Sequence, residues 1–188
     1  MLHYNSDKFQ RDLHRGNVFE HGIGHGLARV TTGHYQSHLY VTGLGQPSGD
    51  GTLTVRGQNY FCEVKAEVNR YPNFCFETNG AWGRKSALSE AAEKGFLWVH
   101  YHGGRDVLIV ARAAKLLPFL EDTVGQSGVQ FVPAMGDGGR AAGYLGPIDL
   151  ITGQAWVKTY PNFSGSNLTG AYALDFGGHN NPPGAAAG

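Results

Sequence analysis

Apolar and polar residues alternate over several short stretches of this chain, which is the pattern of half-buried β-strands. The alternation predicts strands at residues 37–44, 52–56, 59–67, 73–78, 96–101 and 107–110. The segment Gln46-Pro47-Ser48-Gly49 is typical of a turn before the second of these strands, and Arg56-Gly57-Gln58-Asn59 predicts a hairpin between the second and the third. These two strands are therefore expected to be antiparallel neighbours.

A second pattern, with apolar residues three or four positions apart, predicts helices. It covers residues 7–30, where several glycines weaken the helix and a break is expected near Gly16. Shorter helices are predicted at residues 86–94 and 111–121. This order of elements predicts an α/β or α+β fold in which helices flank a mixed central sheet.

The character of the chain changes after Thr123, where glycine-rich turns separate short apolar runs. These runs predict further short strands at residues 129–132, 148–151 and 155–157. The last stretch is mostly Gly, Pro, Ala and Asn, which is typical of a flexible tail. We therefore expect a core over residues 1–122, a glycine-rich β extension packed on it over 123–176, and a tail over 177–188.

The composition allows one domain with a sizeable core, since 41% of the 188 residues are hydrophobic. Lys and Arg together number 15, as do Asp and Glu, so the formal net charge is zero. Proteins that bind nucleic acids without specificity are usually basic, and a neutral total is mild evidence against such a role. Several cations nevertheless gather in the middle of the chain, namely Arg84, Lys85, Lys94, Arg105, Arg112 and Lys115.

The expected location of the protein and the expected state of its cysteines rest on its first residues, its apolar runs and the positions of the two cysteines. Residues 1–8 are polar, unlike a signal peptide, and no apolar run approaches the roughly 20 residues that span a bilayer. A cytoplasmic protein without a membrane partner is therefore expected. Cys62 and Cys75 lie in apolar strand-like runs and are expected to be small buried residues, with a cross-strand disulfide as the alternative.

The candidate chemistry lies in the run Phe61-Cys62-Glu63-Val64-Lys65 and in Asp50 upstream. Side chains alternate along a strand, so Glu63 and Lys65 share one face while Cys62 and Val64 point into the presumed core. The predicted hairpin folds Asp50 back beside Glu63. Two carboxylates and one ammonium on adjacent strands suit a divalent cation and an activated water. The plainer alternative is an exposed ion pair on a solvated strand face.

The order Asp50, then Glu63-Val64-Lys65, resembles the signature of the PD-(D/E)xK nuclease superfamily, in which Glu-x-Lys follows an aspartate after a gap of variable length. The resemblance covers residues 7–122 and includes the N-terminal helical region, the strand after the motif, and the polar turn, short helix and buried strand over 83–99. One departure is that Gly49, not proline, precedes Asp50. The flanking pattern is similar to that of phage, mobile-element and restriction-type members.

The resemblance implies a restriction-endonuclease-like core and a metal-dependent endonuclease that acts on DNA. The implied metal is Mg²⁺, with Mn²⁺ as a substitute, held by Asp50, Glu63, the backbone carbonyl of Val64 and Glu20. Lys65 would orient the attacking water or stabilise the transition state. Arg84, Lys85 and Ser86 occupy positions where related nucleases contact the phosphate backbone. A structure-specific, phage-like enzyme in the host cytoplasm, working as a homodimer, is the fullest form of this expectation.

Several of these residues have alternative roles. Ser86 is also a candidate N-cap of the following helix. Glu77 is either a further ligand, a residue that supports the ligands, or a surface acid. Glu67 is expected at a solvated strand end, with a peripheral acid of the site as the alternative. His21 and His25 are four residues apart, and with His34, His38, His100 and His102 they leave zinc as an alternative metal. At the level of function, the alternatives are an inactive nuclease-fold binding module and a phage structural or assembly protein.

Overall fold

The computed structural model describes residues 18–27, 34–37, 49–55, 57–67, 70–79, 85–135 and 141–164. The helices are α1 (18–27), α2 (Ala87–Lys94), α3 (Ala113–Thr123) and α4 (Ile148–Thr152). The strands are β1 (His34–Ser37), β2 (Gly51–Val55), β3 (Gln58–Glu67), β4 (Asn73–Asn79), β5 (Leu97–His102), β6 (Val107–Arg112), β7 (Gln130–Met135), β8 (Ala141–Pro147) and β9 (Lys158–Pro161).

A six-stranded sheet forms the centre of the molecule, with the order β1-β2-β3-β5-β6-β9. The strands β3 and β5 are parallel, and each of the other neighbouring pairs is antiparallel. The predicted hairpin joins β2 to β3, with Val55 opposite Gln58 and Gly57 at a φ of 78°. The expected α+β class, with a mixed central sheet and flanking helices, is therefore confirmed.

A second, three-stranded antiparallel sheet has the order β4-β8-β7. The strand that follows the Glu-x-Lys motif, β4, thus leaves the central sheet and pairs with a strand almost seventy residues further on, Asn73 lying opposite Pro147. Conversely, β9 comes late in the chain and joins the central sheet beside β6. Both sheets therefore contain strands from either side of residue 122.

The central sheet has a packed hydrophobic cluster on each of its faces. On one face, Cys62 and Val64 of β3 pack with Ile23 and Leu27 of α1 and with Phe163. On the opposite face lies a larger cluster that includes Trp98, Ile109, Phe74, Phe76, Leu88, Leu116 and Ile151. This second cluster joins the central sheet to β4 and to α2, α3 and α4, so β3 lies between two layers of packed structure.

Two of the predicted strands are wrong. Residues 148–151 form helix α4, which Pro147 precedes with a φ of −54° and in which Ile148 and Ile151, one helical turn apart, are both buried. Residues 155–157 form a turn that Val157 N–H closes onto the Gln154 carbonyl, and the strand begins only at Lys158. A short apolar run does not by its spacing distinguish a strand from a buried helical turn.

The N-terminal predictions are only partly within the described residues. Of the predicted helix over 7–30, residues 18–27 are helical, and residues 7–17 and 28–30 lie outside the described part, as does the expected break near Gly16. The helix continues through Gly22, Gly24 and Gly26, all of which are buried, so packing outweighs their low helix propensity. Of the strand predicted at 37–44, only Ser37 is described, at the end of β1; residues 165–188, with the predicted tail, are also outside.

Candidate active site

Gly49 determines how the chain enters the candidate site. Its φ is 74°, and a Cβ at this position would lie 2.6 Å from the Cys62 carbonyl oxygen and 3.1 Å from the Phe96 ring. Only glycine reaches this backbone conformation without strain, and only glycine leaves room for β3 beside it. Proline has φ fixed near −65°, which explains why the proline expected before the aspartate is absent.

Asp50 is held against β3 by two hydrogen bonds. Its backbone N–H donates to the Cys62 carbonyl at 3.0 Å, and its Oδ2 accepts from the Val64 N–H at 2.8 Å. The strand β2 begins one residue later, with Gly51 opposite Cys62. The Asp50 carboxylate thus accepts the hydrogen bond that a backbone carbonyl of β2 would accept if the β2–β3 pairing continued. It is thereby held against the segment of β3 that carries Glu63 and Lys65.

Glu63 and Lys65 form an ion pair on the face of β3 that alternation predicts. Lys65 Nζ lies 2.9 Å from Glu63 Oε1, and the side chains are 43% and 15% exposed, respectively. The ion pair of the plainer interpretation is thus present, with its lysine exposed and its glutamate largely buried. Glu63 is largely withdrawn from water, while the lysine remains accessible to a ligand.

The protonation of these groups is coupled. Burial raises the pKa of Glu63, the Lys65 ammonium lowers it, and the Asp50 carboxylate raises it, with a net rise above the ordinary value. Burial lowers the pKa of Lys65, but Glu63 and Asp50 raise it, and here too the net change is a rise. One cation between two carboxylates is thus held in its charged form, and the two carboxylates repel each other.

Glu20 lies on helix α1, which packs against the face of β3 that carries Cys62 and Val64. Its side chain is buried, with 4% of the residue exposed. The pKa of the Cys62 thiol is raised first by burial and then by the charges of Asp50, Glu20 and Glu63. All three carboxylates therefore act on one thiol inside β3. Contacts join Asp50, Glu63 and Lys65 along this strand, whereas Glu20 belongs to the helix on the opposite face of the sheet.

The remaining predicted contacts lie at helix α2. Ser86 is buried, and its Oγ accepts from the Ser89 N–H at 3.3 Å, so it caps the helix as the alternative role predicts. Lys85 is exposed and pairs with Glu93 at 2.5 Å. Arg84 lies outside the described residues. Glu77, on β4, is exposed, and its charge contributes to the raised pKa of Lys65, so it lies within electrostatic range of the site.

Glu67 is the residue that the sequence placed wrongly. It was expected at a solvated strand end, but its Oε1 lies 2.9 Å from His100 Nε2 and also accepts from the Cys75 N–H at 3.0 Å. Trp98 Nε1 donates to His100 Nδ1 at 3.3 Å, which leaves the proton of His100 on Nε2, facing Glu67. Two histidines that alternate with apolar residues along β5 were the signal for this buried network.

Within the described residues, no three His, Cys, Asp or Glu side chains are grouped as ready-made ligands of a metal ion. Structural zinc needs four protein ligands and catalytic zinc three, so the described residues do not support the histidine-based zinc alternative. Mg²⁺ differs, because it keeps several waters and uses one or two carboxylates. Both described cysteines are free thiols, not a disulfide.

Comparison with models of known protein families gives no match for this sequence, and no curated protein is similar to it. In the parts of the chain that the structure describes, no helix combines the length and apolar character needed to cross a membrane. The case for a function therefore rests on the residues themselves.

Proposed function

We propose that the chain is a metal-dependent endonuclease of the PD-(D/E)xK type, with a restriction-endonuclease-like core, and that it hydrolyses phosphodiester bonds in DNA. The observation that carries this proposal is the pair of contacts along β3. Asp50 Oδ2 accepts from the Val64 N–H at 2.8 Å, and Lys65 Nζ lies 2.9 Å from Glu63 Oε1. Two carboxylates and an accessible lysine thus converge on one strand segment.

The donor set fits Mg²⁺, with Mn²⁺ as a substitute. Asp50 and Glu63 would hold the ion, and the charge of Glu20, which acts on Cys62 inside β3, would contribute from the other side of the strand. The Val64 carbonyl points to the same side of β3 as its N–H, and hence toward Asp50, because both groups of one strand residue face the same neighbour. When bound, such an ion lowers the pKa of a coordinated water and neutralises charge on the phosphate.

The protein groups have distinct roles in this proposal. Lys65 stays protonated, because Glu63 and Asp50 raise its pKa, and it presents a positive charge where the phosphate gains negative charge. Asp50 is positioned before substrate arrives, since the Val64 amide and the Gly49 backbone fix it. Glu63 orients Lys65 through their ion pair.

Substrate and assembly follow from the same proposal. A neutral chain lacks the general attraction to DNA that a basic protein has. We therefore propose a structure-specific enzyme that acts on branched junctions or ends, with Arg84 and Lys85 on the backbone. Cutting two strands calls for two sites, which a homodimer supplies.

The test is a cleavage assay on branched, duplex and single-stranded DNA of one sequence, in Mg²⁺, in Mn²⁺ and in a chelator. Cleavage that requires the metal supports the proposal. Binding of DNA without cleavage in either metal overturns it in favour of an inactive nuclease-fold binding module. Neither binding nor cleavage favours a phage structural or assembly protein.

A further inference from the structure

Phe61 is a large apolar side chain exposed beside the candidate site. It is 49% exposed, although it lies within β3, the longest of the described strands. It precedes Glu63 by two positions and therefore lies on the same face of the strand, about 6.6 Å away along its axis. The next residue, Cys62, is fully buried on the other face.

The ring of Phe61 is supported from one side. It makes an edge contact with Phe96, with centroids 5.8 Å apart and planes at 65°. Phe96 itself is buried, and the Lys94 ammonium lies 5.6 Å from its ring centroid. A Cβ at position 49 would also lie 3.1 Å from this ring, a tight contact. The same buried ring thus contacts Phe61 and lies close to Gly49, the glycine that positions Asp50.

We propose that Phe61 stacks on an unpaired base of the DNA substrate, next to the phosphate that the site cleaves, and so sets a preference for unpaired over fully duplex DNA. This inference rests on the proposed nuclease function. Aromatic side chains stack on bases of any sequence, provided that the face of the base is accessible. In a duplex both faces of a base are covered by its neighbours, whereas at a junction or an end one base can turn outward.

The experiment measures kcat and KM on a branched and a duplex substrate of the same sequence. Phe61→Ala is expected to reduce kcat/KM on the branched substrate about 5- to 100-fold, mainly through KM, because stacking holds substrate and transition state alike. Phe61→Trp is expected to restore it. The reduction on the duplex should be less than about twofold.

Phe131 provides a matched control. It is also half-exposed, at 46%, and also supported by one aromatic ring, with Tyr144 at 5.5 Å, but it lies on β7 in the second sheet. Phe131→Ala should leave the ratio of branched to duplex cleavage unchanged. Phe61→Leu keeps apolar volume without a ring face, and it serves in place of Phe61→Ala if the latter does not fold.

A readout without cleavage uses Lys65→Ala protein and an oligonucleotide with 2-aminopurine at the unpaired position. Stacking quenches this base, and Phe61→Ala in the same background should abolish the quenching. An unchanged quench, or an equal loss on branched and duplex substrates, overturns the inference while the nuclease proposal stands. Absence of cleavage by the wild type overturns the nuclease function itself, and absence of a Phe61-dependent quench then overturns the stacking as well.

Discussion

Two pairs of polar side chains on the second half of β3 lie in different surroundings. Glu63 and Lys65, toward the middle of the strand, form an ion pair of which the lysine is 43% exposed. Glu67, at the strand end, pairs with His100, which is 2% exposed. Strand β4 contacts the second pair directly: Phe74 and Phe76 pack around His100, and the Cys75 amide donates to Glu67.

The comparison shows that alternation along a strand predicts the face on which a side chain lies. Whether that side chain stays accessible or is buried depends on the layer that packs over it. A charge pair that is open on one side can exchange its partner for a ligand. A closed pair, which is buried and whose carboxylate also binds the amide of the covering strand, holds two layers together, and removing the carboxylate leaves buried N–H donors without an acceptor. The following experiments test whether the open pair serves chemistry and the closed pair serves stability.

The largest expected effect is that of Lys65→Ala on cleavage. Turnover should fall at least 100- to 1,000-fold, because the ammonium stabilises developing charge, while DNA affinity should fall far less. Cleavage rate and binding isotherms at one salt concentration measure the two effects. Lys158→Ala is the control, since Lys158 is an exposed strand lysine on β9 that lies over the Tyr160 ring. Equal losses of rate and affinity in Lys65→Ala would assign Lys65 to DNA binding alone.

The closed pair should respond in the opposite way. Glu67→Ala removes the partner of buried His100 and the acceptor of the Cys75 amide. Each of the two buried donors left without an acceptor costs about 1–3 kcal/mol, so we expect a clear loss in the free energy of unfolding, measured by urea denaturation. Turnover per folded molecule should change little. A variant as stable as the wild type but inactive would instead place Glu67 in the chemistry.

Gly49→Ala tests how firmly the backbone positions Asp50. The added Cβ meets the Cys62 carbonyl, so Asp50 must shift, and a displacement of about 1 Å can cost about 100-fold in rate. Gly57→Ala is the matched control, because Gly57 has a similar φ of 78° with nothing within 4 Å of an added Cβ. Both variants carry backbone strain, but only the first should lose activity. Equal activities would show that Asp50 tolerates displacement.

Glu20→Gln tests whether a carboxylate on helix α1 contributes to the chemistry of the open pair. The change is nearly isosteric and removes one of the charges that act on Cys62. Turnover should fall about 10- to 100-fold if Glu20 supports the metal site, while thermal stability stays the same or rises as carboxylate repulsion is relieved. Undiminished turnover would make Glu20 a structural residue of the α1 interface.

The smallest expected effect is a pH dependence of the stability of the fold, which arises from His102 near the Glu67–His100 pair. Burial lowers the pKa of His102, Glu67 raises it and His100 lowers it, with a net value below 6.5. The unfolded chain therefore takes up a proton first as the pH falls through 6.5, and the folded state loses stability below that pH. Thermal melts between pH 7.5 and 5.5 should show the loss, and His102→Gln should flatten it. An unchanged slope would assign the pH dependence to other groups.

The sequence pattern correctly predicted the features that depend on residues close together in the chain. The hairpin that brings Asp50 beside β3, the shared face of Glu63 and Lys65, and the Ser86 cap all follow from residues close together in the sequence. The course of β4 could not be predicted, because its partner β8 lies far along the chain and strand pairing has no sequence code of comparable strength. The burial of Glu67 was missed for the same reason. Helix α4 was missed because its run of apolar residues is too short to show a period.

The pairing of β4 with β8 has a consequence for synthesis of the protein. Chains emerge from the ribosome N-terminus first, at about 5–20 residues per second, so β3 with its charged residues is complete several seconds before β8 exists. During that interval Phe74 and Phe76 have no sheet of their own to join. A chain that stops at residue 122 never acquires one, and we expect such a truncated chain to aggregate through its exposed aromatic strand.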